Sequence, residues 1–212
     1  METAFEILKT IFSALYIIVF VVAVIKLPRY KETPLKYFPL VLLFTIVAEF
    51  TGKYYPTPNI IVFNIYYFFY FSLLFYIFMK TIDEEKFKNY IKAGIVIYLV
   101  FYVRDLIFLD INTKSFTPSY VAGAGVLVYC IILYYIGILQ SSKVLIVKND
   151  LLFWVSVGLF LFYTGYLPIK IIRETWAIEK NEFFSILMVI QFVLIIVMYL
   201  FFLTGFLWMR KR

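Results

Sequence analysis

Long apolar runs alternate with short polar breaks along the chain, and the lengths of the runs carry the first inference. A helix rises about 1.5 Å per residue, so about 20 mostly apolar residues cross a hydrocarbon core of about 30 Å. Seven runs meet this requirement: 5–26, 35–52, 59–80, 89–109, 117–139, 151–170 and 183–208. The breaks are chemically distinct. "KLPRYKETPLK" carries two prolines and four cations, "GKYYPTPN" reads as a turn, and "KTIDEEKFKN" is polar throughout. "DINTKSFTPS" ends with Pro118 where a helix can open. "QSSKVLIVKND" is the weakest break, and "KIIRETWAIEKNE" is long enough for a short surface helix. The predicted fold is an all-α bundle of seven transmembrane helices, a single domain over residues 1–212. Tyr54, Tyr55, Trp154, Trp176 and Trp208, near run ends, fit interfacial belts. A three-plus-one-plus-three repeat around the fourth helix is compatible with the pattern.

Composition strengthens the membrane reading. Of 212 residues, 64% are hydrophobic and 16% charged, with mean hydropathy +0.94. Soluble domains are about 45–50% apolar and about 25% charged. The opening METAFEILK places Glu2 and Glu6 where a cleaved signal would carry basic residues, so the first run is expected to be retained. Histidine is absent, which excludes a histidine-based triad or histidine metal ligands in this chain. Cys130 is the single cysteine, so no internal disulfide forms. No cofactor or metal is expected.

The cations set orientation. With the N-terminus outside, 13 Lys and Arg fall on the inner side and 7 on the outer side. Cytoplasmic loops carry the excess, so the N-terminus is expected outside and the C-terminus in the cytoplasm. The net charge of +7 follows from these loops and points to no nucleic-acid partner. The expected partners are the lipid bilayer, a cytoplasmic protein that meets the basic loops, and a second copy of the chain.

Charge inside the runs marks the candidate site. Arg104 and Asp105 lie in the fourth helix, Arg104 about 18 Å beyond Lys92. Neighbours in sequence project about 100° apart on a helix, so the two are expected to seek partners elsewhere. At similar depth stand Glu49, Asn64, Tyr67, Tyr163, Tyr166 and Gln191. The expected arrangement is a Glu49–Arg104 ion pair, with Asp105 meeting Asn64, a tyrosine hydroxyl or Gln191. Three readings stay open: an early helix end with Arg104 reaching headgroups, a structural ion pair, or a functional cavity. Gly123 and Gly125 are expected at close helix contacts, and Cys130 as a small apolar filler.

The last run, "FFSILMVIQFVLIIVMYLFFLTGFLW", has no lysine for retinal, which separates the chain from opsins. The paired intramembrane aspartates of lysoplasmalogenase-like hydrolases are not matched, since Asp105 and Asp110 share one segment. "YFPLVLLFTIVAEF" followed by "NIIVFNIYYFFYFSLLFY" resembles a loose group of small bacterial seven-helix inner-membrane proteins. The resemblance rests on Glu49 late in helix two and Asn64–Ile65–Tyr66 early in helix three. Some membrane accessories of bacterial CRISPR systems look broadly similar. This resemblance implies a signalling or anti-phage accessory role at a bacterial inner membrane, and the lack of catalytic residues favours a role without catalysis. Two alternatives remain: a small-solute channel or transporter with a polar cavity open to the outside, and an outer-leaflet lipid-modifying enzyme using Glu49 and Asp105.

Overall fold

The computed structural model describes residues 2–55, 59–141, 147–175 and 182–209. Among these, seven α-helices and no strand are found. They are α1 (Glu2–Lys26), α2 (Phe38–Tyr54), α3 (Ile60–Thr81), α4 (Glu85–Phe108), α5 (Thr117–Leu139), α6 (Leu151–Thr175) and α7 (Glu182–Trp208). Six of them are long and apolar enough to cross a membrane. The exception is α4, whose uncharged stretch runs only from Ala93 to Val103, between Lys92 and the Arg104–Asp105 pair.

The helix ends follow local chemistry. Pro39 opens α2 and Pro118 opens α5, positions where the missing N–H leaves no helical bond unmade. Helix α4 begins at Glu85, inside a segment read as a loop. Glu85 adds negative charge to the positive helix start and accepts a 2.7 Å hydrogen bond from Lys88 one turn on. Helix α6 continues to Thr175 and absorbs the first part of "KIIRETWAIEKNE". The rest of that expected surface helix, with Trp176, lies outside the described residues. So do the middles of the "GKYYPTPN" and "QSSKVLIVKND" breaks and the C-terminal cations.

The chain divides into two compact units. One holds α1, α6 and α7; the other, residues 27–144, holds α2 to α5. This differs from a three-plus-one-plus-three grouping, because α4 packs on α5 and α3 within one unit. In the α2–α5 unit, α3 is central and touches the other three helices. A hydrogen bond of 2.9 Å between Thr45 Oγ1 and Tyr66 Oη links α2 to α3. Phe71 and Phe75 of α3 meet Tyr98 of α4 edge-on, with ring centres 5.7 and 5.5 Å apart. Gly123 makes room for this aromatic layer: a Cβ there would stand 2.7 Å from Phe71 and 2.9 Å from Tyr98. Gly125 is exposed, with nothing within 4 Å of such a Cβ, so the expected close contact there is corrected. It sits two residues on, about 200° around the helix from Gly123. Cys130 is fully buried, as an apolar filler would be.

In the other unit α7 packs against both α6 and α1. Phe12 of α1 meets Phe192 and Tyr199 of α7 with ring centres 6.1 and 6.3 Å apart.

Candidate functional site

Arg104 and Asp105 occupy the last turn and a half of α4, and the helix separates their directions. Asp105 is 0% exposed, whereas the Arg104 side chain is 53% exposed. The expectation that the two could not serve each other is corrected. Arg104 Nη1 curls back to within 3.4 Å of Asp105 Oδ1, a reach that the long flexible arginine arm permits. The carboxylate partner of Arg104 is therefore Asp105 rather than Glu49, which sits half-buried on α2.

The other oxygen of Asp105 turns to α5. Oδ2 accepts hydrogen bonds from the Ser119 backbone N–H at 2.9 Å and from the Ser119 hydroxyl at 2.5 Å. Ser119 is the third residue of α5, where backbone N–H groups lack helical partners. The residue before the helix, Phe116, has no side-chain acceptor to cap it. Asp105 supplies that cap from the neighbouring helix, and its negative charge meets the positive end of the α5 dipole. Within this unit its donors are Ser119 and Arg104, neither Asn64 nor a tyrosine hydroxyl, and that expectation is corrected.

Asn64 performs a related task from α3. Its amide nitrogen donates to the carbonyls of Ile111 at 3.0 Å and Lys114 at 2.9 Å. Its amide oxygen accepts from the Phe116 N–H at 3.1 Å. One buried side chain thus satisfies three backbone groups of the α4–α5 connection. That connection also folds on itself. Asp110 Oδ1 accepts from the Asn112 N–H at 3.0 Å, and Oδ2 accepts from the Thr113 hydroxyl at 3.0 Å. These donations, the Asn112 backbone first, hold the Asp110 carboxyl below the ordinary carboxylate range. Together Asp105, Asn64 and Asp110 form a latch that fixes residues 109–116 and the start of α5.

Tyr67 belongs to the same neighbourhood as a packing group, edge-on to Tyr120 at 4.7 Å. Its carbonyl accepts from the Tyr98 hydroxyl at 3.4 Å, and that of Asn64 accepts from the Tyr102 hydroxyl at 3.4 Å. Tyr163, Tyr166 and Gln191 belong to the other unit. Tyr163 and Tyr166 are buried, and Tyr166 stacks on Phe162 at 5.1 Å. Gln191 accepts a 2.7 Å hydrogen bond from Arg173, whose guanidinium lies 5.0 Å from the centre of the Phe184 ring. Glu49, Asn64, Tyr67, Arg104 and Asp105 lie in the α2–α5 unit, and Tyr163, Tyr166 and Gln191 in the other. Ser119 was legible only as the start of α5, and Arg173 was not singled out. Among the described residues, no group of three or more Cys, Asp or Glu side chains could hold a metal ion.

The chain matches no protein-family model, no curated protein and no solved structure.

Proposed function

We propose that this chain is a seven-span, non-catalytic membrane protein with an accessory or signalling role. The observation that supports this reading most directly is the use made of Asp105. A general acid or base must reach its substrate. The Asp105 carboxylate is sealed from solvent and bound to the start of α5. Asn64 is likewise committed to the backbone of residues 111–116. The polar residues inside the apolar runs of α3 and α4 therefore serve as architecture that holds a connecting loop in one shape.

The same contacts support α4 as the seventh span. Its 24 residues reach about 36 Å. Asp105 faces the interior, and Arg104 lies within about one turn of the helix end, close enough for its guanidinium to reach headgroups. With the N-terminus outside, residues 109–116 face the exterior and the basic segments around Arg29 and Lys86 face the cytoplasm, where they offer a surface to a protein partner. The resemblance carried by Glu49 and Asn64–Ile65–Tyr66 supports a bacterial inner-membrane setting and a role in anti-phage signalling for this reading.

Purified chain in proteoliposomes tests the non-catalytic reading. Solute flux and lipid turnover are expected at the level of empty vesicles. A flux or a lipid product above that level, removed by Glu49→Gln, which leaves the latch untouched, would overturn it.

A further inference from the structure

The opposite end of the α2–α3 pair carries a second arrangement of charge and rings. Lys36 Nζ stands 5.2 Å from the centre of the Tyr37 ring. Tyr37 meets Tyr76 of α3 edge-on, with centres 5.3 Å apart and planes at 80°. Lys80, one turn beyond Tyr76, places its Nζ 5.8 Å from the Tyr76 ring. Two ammonium groups thus bracket a pair of touching tyrosines. Both lysines and Tyr76 are exposed, and Tyr37 is half-buried. Among the described residues, neither lysine lies within ion-pair distance of a carboxylate.

Local folding explains why these four side chains meet. The short 3-10 turn Pro34–Tyr37 packs against α3 and buries Leu35, and Phe38 beside it is buried as well. That seating leaves Lys36 on the surface and Tyr37 beside Tyr76. Each ammonium rests near a ring face, an attraction that keeps a long side chain close to one place.

An apolar strip continues from the tyrosines. Phe69 precedes Tyr76 by two helical turns and lies on the same face of α3. It stacks on Phe44 of α2, ring centres 5.4 Å apart and planes 11° from parallel. Leu40, one turn before Phe44, is exposed with them. The surface therefore reads as a long apolar track that ends in two hydroxyl-bearing rings and two cations.

We propose that Lys36, Tyr37, Tyr76 and Lys80 bind the headgroup phosphate of an anionic phospholipid, with an acyl chain lying along Leu40, Phe44 and Phe69. The phosphate takes the two ammonium groups, the tyrosine hydroxyls donate to its oxygens, and the track takes the hydrocarbon. Aromatic and basic side chains at a helix end are suited to the headgroup region, and cytoplasmic leaflets supply anionic lipid. The site rests on the membrane-spanning reading above.

The test is native mass spectrometry of the full chain released from detergent with phosphatidylglycerol or phosphatidylcholine of identical acyl chains. Wild type is expected to retain phosphatidylglycerol about thirtyfold better, as two lysines near an anionic headgroup imply. The Lys36→Gln/Lys80→Gln double variant is expected to lose that preference. The control Lys53→Gln/Lys86→Gln, which removes two lysines placed over tyrosines elsewhere, is expected to keep it. Equal retention of both lipids by wild type overturns the site, as does a preference that survives the double variant or falls equally in the control. Displacement of the lipid by an equal concentration of inorganic phosphate overturns a lipid as the source of the phosphate. Carbonate extraction of membranes separates the two levels: a chain that stays in the membrane but shows no preference removes the site alone, whereas an extracted chain removes the membrane reading.

Discussion

A carboxylate shut away from water must find its donors in the protein, and Asp105 finds them at Ser119 and Arg104. The two Ser119 bonds define a graded series. Ser119→Ala removes the hydroxyl donor and leaves the backbone N–H, a loss of about 1.5–3 kcal/mol for a bond to a charged group. Asp105→Asn keeps the shape but gives up the charge and turns one acceptor into a donor facing another donor, a larger loss. Asp105→Ala leaves the Ser119 N–H and hydroxyl buried with no acceptor, at a cost of about 1–3 kcal/mol for each. Thermal unfolding in detergent is expected to rank the three in that order, and equal midpoints for Asp105→Ala and wild type would show that the latch contributes nothing. Asp110 adds a pH dependence in the connection between α4 and α5. Its carboxyl is held below its unfolded value, chiefly by the Asn112 N–H and then by Thr113. Its contribution is therefore complete above the ordinary carboxylate range and is lost as pH falls through the lower folded value. Hydrogen exchange at Asn112 and Thr113, corrected for intrinsic rates, is expected to accelerate on acidification, and Asp110→Asn is expected to flatten that response.

At the scale of elements, the glycines of α5 separate packing from mere occurrence. Gly123→Val would drive a side chain into Phe71 and Tyr98, and overpacking of this kind costs about 1–3 kcal/mol. Gly125→Ala meets open space and is expected to be neutral or slightly stabilising, since alanine is the better helix former. Unfolding midpoints that moved alike for both would contradict the aromatic layer described for α3, α4 and α5. The helices themselves were legible because twenty-residue apolar runs leave few alternatives: α5 starts and ends where the pattern placed it, and α7 and α3 do so within a residue. Residues 35–37, read as the start of the second run, form the 3-10 turn Pro34–Tyr37 before α2, and two further misread ends are polar. Glu85 and Lys88 stabilise helix without apolar character, and residues 171–175 extend α6 past its apolar run. The partners of Asn64 were not legible, because they are backbone groups of residues 111, 114 and 116, and carbonyls and amides have no signature in sequence. Asp105 was legible as a charge in need of a partner; its partner at the first turn of α5 follows only once α4 and α5 are known to pack together.

At the scale of the whole molecule, the number of crossings turns on α4. Six helices have the apolar length to span, and α4 carries three charged residues along the stretch from Lys92 to Asp105. If only the six cross, the segments on either side of α4 lie on one face of the membrane. If α4 crosses as well, they lie on opposite faces. The positive-inside rule then places the lysine-rich side of α4 in the cytoplasm. The internal neutralisation of Asp105 favours the crossing, because the charge that would resist insertion most is already satisfied within the protein. Membrane-impermeant thiol labelling decides between the two arrangements. In a Cys130→Ala background, Asn112→Cys is expected to react in intact cells, because Asn112 is exposed in the connection that follows α4. Asp83→Cys, exposed before the start of α4, and Glu32→Cys are expected to react only after permeabilisation. Reaction of Asp83→Cys and Asn112→Cys from the same side would make α4 a surface helix and leave six spans. Glu32 and Asp83 are separated by α2 and α3, so reaction of Glu32→Cys but not of Asp83→Cys in intact cells would contradict two crossings by those helices.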